Sequence, residues 1–126
     1  MIIRLITLAT VEPTEEPIQV EAHIFGQLAV HEDDECATVT HIKSGCMITD
    51  FSWLADADDF AEEASNLMDF DLYAQLIVSG GYEAAKLMFS KDIEAVRDLR
   101  ESYNTHITTV NAPYATREQM KERMQS

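Results

Sequence analysis

The chain of 126 residues carries 23 Asp or Glu against nine Lys or Arg, a formal charge of −14, and 46% of it is apolar. That length and apolar share suit one domain, residues 1–126, with an ordinary core, and they exclude a disordered acidic tail. The charge is one-sided: residues 1–71 hold 16 acids and two bases, Arg4 and Lys43, whereas 72–126 hold seven of each, a field that repels nucleic acid and membrane surfaces and favours a basic partner.

The start, Met1-Ile2-Ile3-Arg4-Leu5, lacks a basic n-region, a long apolar stretch and a small-residue cleavage site, so no signal peptide is expected. No run approaches the length of a membrane span, and the reading is a soluble, intracellular protein. Ile2 to Val11, rich in Ile, Leu, Val and Thr, predicts a strand that ends at Glu12-Pro13-Thr14-Glu15-Glu16-Pro17, where the prolines break pairing. From Ile18 to Val30, Ile18, Val20, Ala22, Ile24, Leu28 and Val30 alternate with the other residues. Period two over that length predicts one long half-buried strand, with Gly26 marking a bulge or a close backbone approach.

His31-Glu32-Asp33-Asp34-Glu35 reads as a loop, and Ala37 to Ile42 and Cys46 to Trp53 as a strand pair flanking the turn Lys43-Ser44-Gly45. Consecutive strands favour an antiparallel meander. Cys36 and Cys46 would then sit at opposite ends of a hairpin, roughly 20 Å apart at the usual rise, too far for a disulfide. Both are expected to be free thiols, as a reducing cytosol also implies.

After Trp53 the period changes. Ala57, Phe60, Ala61, Ala64, Leu67 and Met68 recur every three or four residues, the buried stripe of an amphipathic helix. Further helices are predicted over Leu72 to Ser79, closed by Gly80-Gly81, over Tyr82 to Phe89, and from Ser90 as N-cap to about Tyr103, with Ile93, Val96, Leu99 and Tyr103 inward. Thr105 to Val110 suits a fifth strand, and Thr116 with Gln119 forms a capping box for a last helix carrying Met120 and Met124. The expected class is α+β: an antiparallel meander of about four strands in residues 1–53, followed by helices in 54–126 packed on one face.

The functional candidates are acidic. Asp58 with Glu62 and Asp59 with Glu63 are like-charge pairs at four-residue spacing, each costing a few tenths of a kcal/mol in an isolated helix. The helix dipole accounts for Asp56, Asp58 and Asp59 in the first turn but not for Glu62 and Glu63. With the loop Glu32, Asp33, Asp34 and Glu35 they make eight candidate partner-binding carboxylates, with Phe25 and Trp53 as apolar anchors. Lys and Arg that grip duplex DNA are spaced to its phosphates, and carboxylates on a rigid helix and nearby loop can meet the same groove.

Other chemistries find little support. Asp56-Ala57-Asp58-Asp59 lacks the central glycine and closing glutamate of a calcium loop. His31, Cys36, His41 and Cys46 recur every five residues, unlike zinc spacing, so neither metal nor cofactor is expected. Gly-x-Ser-x-Gly is missing, the glycines form no phosphate loop, and no enzyme is expected. Lys86, Lys91, Arg97 and Arg100 interleave with Glu83, Asp92, Glu94, Asp98 and Glu101, which reads as a solvated face that contacts no nucleic acid.

The segment Thr40-His41-Ile42-Lys43-Ser44-Gly45, a strand, and then the helix from Ala57 to Met68 resembles a hairpin-helix element of small phage and mobile-element proteins. In size and charge the chain is similar to phage anti-defence proteins, including anti-CRISPR and anti-restriction inhibitors. That resemblance implies a non-enzymatic inhibitor that occupies the basic groove of a nucleic-acid-binding protein or ribonucleoprotein complex, without touching nucleic acid or membrane. A phage structural or assembly protein acting through self-association, and a small nucleotide-processing enzyme, are the alternatives.

Overall fold

In a computed structural model, residues 2–8, 18–103, 120–121 and 124 are described. Five strands, β1 (Ile2–Leu8), β2 (Ile18–Phe25), β3 (Leu28–Glu32), β4 (Ala37–His41) and β5 (Cys46–Phe51), precede four helices, α1 (Leu54–Leu67), α2 (Phe70–Gly80), α3 (Tyr82–Met88) and α4 (Ser90–Glu101). The strands pair antiparallel in the order β1-β2-β3-β4-β5, an α+β meander followed by helices. The expected strand at Thr105 to Val110, the connection Glu12 to Pro17 and the Thr116–Gln119 capping box lie outside the described residues.

The long strand expected over Ile18 to Val30 is two strands. Phe25 pairs with Leu28, which leaves Gly26-Gln27 as a two-residue turn. Gly26 has φ +61° and no non-glycine residue described has a positive φ, the type II′ pattern that matches strand twist. A hairpin with a two-residue loop exchanges odd and even positions between the faces. Leu28 and Val30 therefore join the main core under α1, together with half-buried Phe25, while Ala22 and Ile24 lie on the other face with Ile6 and Ala29. Alternation in the sequence ran straight through the turn and concealed it.

The helix α1 buries Ala57, Phe60, Ala61 and Ala64 against the sheet. Its small alanines let the helix approach closely, and Phe60 packs 5.2 Å from the Phe51 ring centroid. The side chain of Asp69 caps α2 by accepting from the Leu72 N–H, and Gly81, at φ 90°, ends it. In α4 the N-cap is Phe89 and not Ser90, which lies inside the first turn.

Arg100 departs furthest from its expected place on a solvated face, being 1% exposed. Its Nε donates to Thr49 Oγ1 at 3.0 Å and its Nη2 to the Asp50 carbonyl at 2.8 Å. Its guanidinium lies 4.1 Å from the Phe51 ring centroid. Burial lowers its pKa, with Asp50 and Asp56 acting against that, and an arginine stays charged there. It thereby covers part of the outer edge of β5, which an exposed edge strand needs.

Candidate functional site

The acidic candidates collect at one end and along one ridge. Glu32 pairs with Ala37, and Ala37 with Phe51, so the loop after β3 sits at the end of the sheet where β5 passes into α1. From there α1 runs back toward the opposite end, where Ser65 lies beside Gly26. Glu32, Asp33, Asp34, Glu35, Asp59, Glu62 and Glu63 are all exposed. Asp59 and Glu63 lie ~6 Å apart along the helix axis, near the ~7 Å between alternate phosphates of one DNA strand. Burial pushes the Tyr103 phenol up, and the charges of Asp59, Glu63 and Asp56 add to that shift.

Two of the eight carboxylates serve the fold. Asp58 is half-buried and accepts from His23 Nδ1 at 3.1 Å, tying α1 to β2. Asp33 turns into its own loop, where Oδ1 accepts from the N–H of Glu35 at 2.8 Å and of Cys36 at 2.9 Å. Those backbone donors, that of Cys36 first, hold its pKa below the usual carboxylate value. Glu32, Asp34, Glu35, Asp59, Glu62 and Glu63 form no ion pair among the described residues, where three pairs occur, His23–Asp58, His41–Asp71 and Lys43–Asp71. Of the two aromatic anchors, Trp53 is 69% exposed, whereas Phe25 packs against the core.

At the other end of the sheet lies a constellation the sequence did not reveal. Ser44 Oγ is 2.8 Å from His41 Nδ1, and His41 Nε2 is 2.7 Å from Asp71 Oδ1. The Ser44 N–H also points at Nδ1, at 3.4 Å, so Nδ1 accepts and the Nε2–H donates to Asp71. Lys43 Nζ approaches the other Asp71 oxygen at 3.3 Å. Ser–His–Asp is the order of a nucleophilic triad, which also requires free donors to hold an oxyanion. Here the N–H groups of Ser44, Gly45 and Cys46 are taken up by His41 Nδ1, the His41 carbonyl and Ser44 Oγ. With Ser44 1% and His41 4% exposed, the chain of bonds acts as a tie between the β4–β5 turn and the start of α2. Gln27 reinforces it, donating to Asp69 and accepting from the Asp71 N–H.

Burial holds the His41 pKa below its ordinary value, against the hydrogen bond and charge of Asp71. Above the ordinary histidine value of about 6.5 both folded and unfolded chains are neutral here, and the tie is intact. Below it the unfolded chain takes up the proton first, so stability is lost as pH falls, by at most ~1.4 kcal/mol per pH unit. Denaturant melts near pH ~7.5 and pH ~5.5 should show this loss in the wild type and a smaller one in His41→Gln. An equal loss in both proteins would place the effect elsewhere, for instance at half-buried His31, which is shifted the same way.

The four residues weighed for zinc divide between the two ends of the sheet. Cys36 directly precedes Ala37, opposite Phe51, while His41 pairs with Cys46. Both cysteines are free, burial pushes the Cys36 thiol up, and among the described residues no three His, Cys, Asp or Glu side chains are grouped to hold a metal ion. Among those residues, too, no helix is long and apolar enough to cross a membrane.

A cavity of about 380 Å³ opens between β5, α2 and α4, with Ser44 and His41 at one end, apolar walls that include Ile48, Phe70 and Ile77, and Lys86 and Arg97 in its lining. Sequence periodicity marked Ile93 and Val96 as inward but gave no sign of a space beside them. The chain matches no protein-family model, no curated protein and no solved structure.

Proposed function

We propose that this chain is a non-enzymatic inhibitor in the bacterial cytoplasm that lays its acidic loop and α1 ridge into the basic groove of a nucleic-acid-binding protein or ribonucleoprotein complex of the defence type. One observation carries this reading: six exposed carboxylates, on a helix packed against a sheet and on a loop held by Asp33, have no basic partner among the described residues. Like charges four residues apart oppose helix formation slightly, so the fold gains nothing from Asp59 beside Glu63. A groove built for phosphates offers Lys and Arg at comparable spacing. Electrostatics then sets encounter rate and register, and a few desolvated contacts, with Trp53 at the start of the ridge, set affinity.

The test is capture from a bacterial lysate on the immobilised full chain, followed by elution with excess duplex DNA. Release of a nucleic-acid-binding protein or complex by the DNA supports the reading. Retained proteins that ignore the DNA contradict it.

A further inference from the structure

We propose that the cavity between β5, α2 and α4 binds one linear amphipathic monocarboxylate, its hydrocarbon chain along the apolar walls and its head group at Lys86 and Arg97. This site is independent of the acidic ridge and rests on three observations. The first is size and lining: about 380 Å³ lies at the lower end of the ~300–1,000 Å³ usual for small-molecule sites, enough for a single chain and too little for a two-chain lipid. Apart from the His41–Ser44 end and Ser90, most of the side chains lining it are apolar or aromatic.

The second is that part of the wall is adaptable. Met47, Met68 and Met120 contribute three of the chain's six methionines to this one space. Unbranched, polarisable thioethers can adapt to a flexible chain, beside the stiffer Ile48, Ile77, Ile93, Val96, Phe70 and Tyr73 that complete the apolar lining.

The third is charge. The chain holds 23 acids, yet Lys86 and Arg97, both exposed, form no ion pair among the described residues. Lys86 Nζ sits 5.8 Å from the Tyr82 ring centroid, within the reach of a cation–π contact, which orients the ammonium beside the cavity without neutralising it. Two cations without an ion-pair partner among the described residues, next to an apolar space in a protein of charge −14, select an anionic head and reject a cationic one. The His41 ring offers a ligand no further polar partner, since its two nitrogens are already engaged with Ser44 and Asp71.

Titration calorimetry with the full chain and sodium hexanoate, octanoate, decanoate and dodecanoate tests this directly. Affinity should rise about fourfold per added methylene until the cavity is filled, the increment expected for burying each group. Decanol should bind at least tenfold more weakly than decanoate, and Lys86→Ala and Arg97→Ala, both surface changes that leave the fold intact, should each weaken decanoate about tenfold. No binding, affinity indifferent to chain length, or decanol equal to decanoate in wild type and variants would overturn the proposal. A result that leaves the DNA-released capture unchanged bears on the cavity alone, because no residue of the ridge lines it.

Discussion

Replacing Arg100 with methionine should lower stability by about 2–4 kcal/mol, although the sequence presents Arg100 as one of several alternating surface charges. The change leaves Thr49 Oγ1 and the Asp50 carbonyl without the donors that now meet them, at ~1–3 kcal/mol for each buried acceptor left unpaired. It also removes the cation from the Phe51 ring, a contact worth up to ~2 kcal/mol when desolvated. Methionine retains the apolar stem, and removal of a buried charge offsets part of the loss. Lysine is no substitute, because one ammonium cannot reproduce the planar fork that reaches both acceptors and stacks on the ring. Arg97→Met, one turn earlier on the exposed side of α4, is the control and should move stability by no more than ~0.5 kcal/mol. Urea midpoints for the two variants settle the matter, and equal effects would mean that Arg100 does not anchor α4 to the β5 edge.

Reversing Glu32, Asp34, Glu35, Asp59, Glu62 and Glu63 to lysine should reduce affinity for the captured partner by at least ~1,000-fold, about 4 kcal/mol, with the fold retained. The two halves of that expectation have different grounds. Exposed charges contribute ~0–1 kcal/mol each to stability, and these six form no ion pairs to lose among the described residues. Against a groove lined with Lys and Arg, by contrast, every attraction becomes a repulsion, and like charges brought together across an interface cost several kcal/mol. Asp33 and Asp58 stay unchanged in this variant, since one holds the loop and the other binds His23. Circular dichroism matching the wild type with binding undiminished would show that the ridge serves only to keep the protein dispersed.

The sequence made the class of fold legible because its two periods are clean. Alternation before Trp53 and the Ala57, Phe60, Ala61 and Ala64 stripe after it correspond to the sheet and to α1. The Gly26-Gln27 turn escaped because it lacks the Asn-Gly or Asp-Gly signature and because apolar residues continue on both sides of it. Arg100 escaped for a related reason: its neighbours Asp98 and Glu101 are exposed, and only the fold brings Thr49 and Asp50 within reach. At the candidate site, composition showed that carboxylates were in excess but not which were engaged. Asp33 and Asp58 were read as free because their partners are, respectively, backbone N–H groups and a histidine 35 residues away. The Ser44–His41–Asp71 tie spans 30 residues between His41 and Asp71, and no local motif encodes it.

The most direct test follows the anisotropy of a fluorescent DNA duplex of about 20 base pairs, or roughly two helical turns, bound to the captured partner. Added protein should displace the duplex completely, and its potency should fall steeply as salt rises from about 0.05 to about 0.5 M, where the screening length shrinks from more than ~10 Å to a few ångströms. A ternary complex that keeps the DNA bound, with potency indifferent to salt, would contradict occupation of the groove.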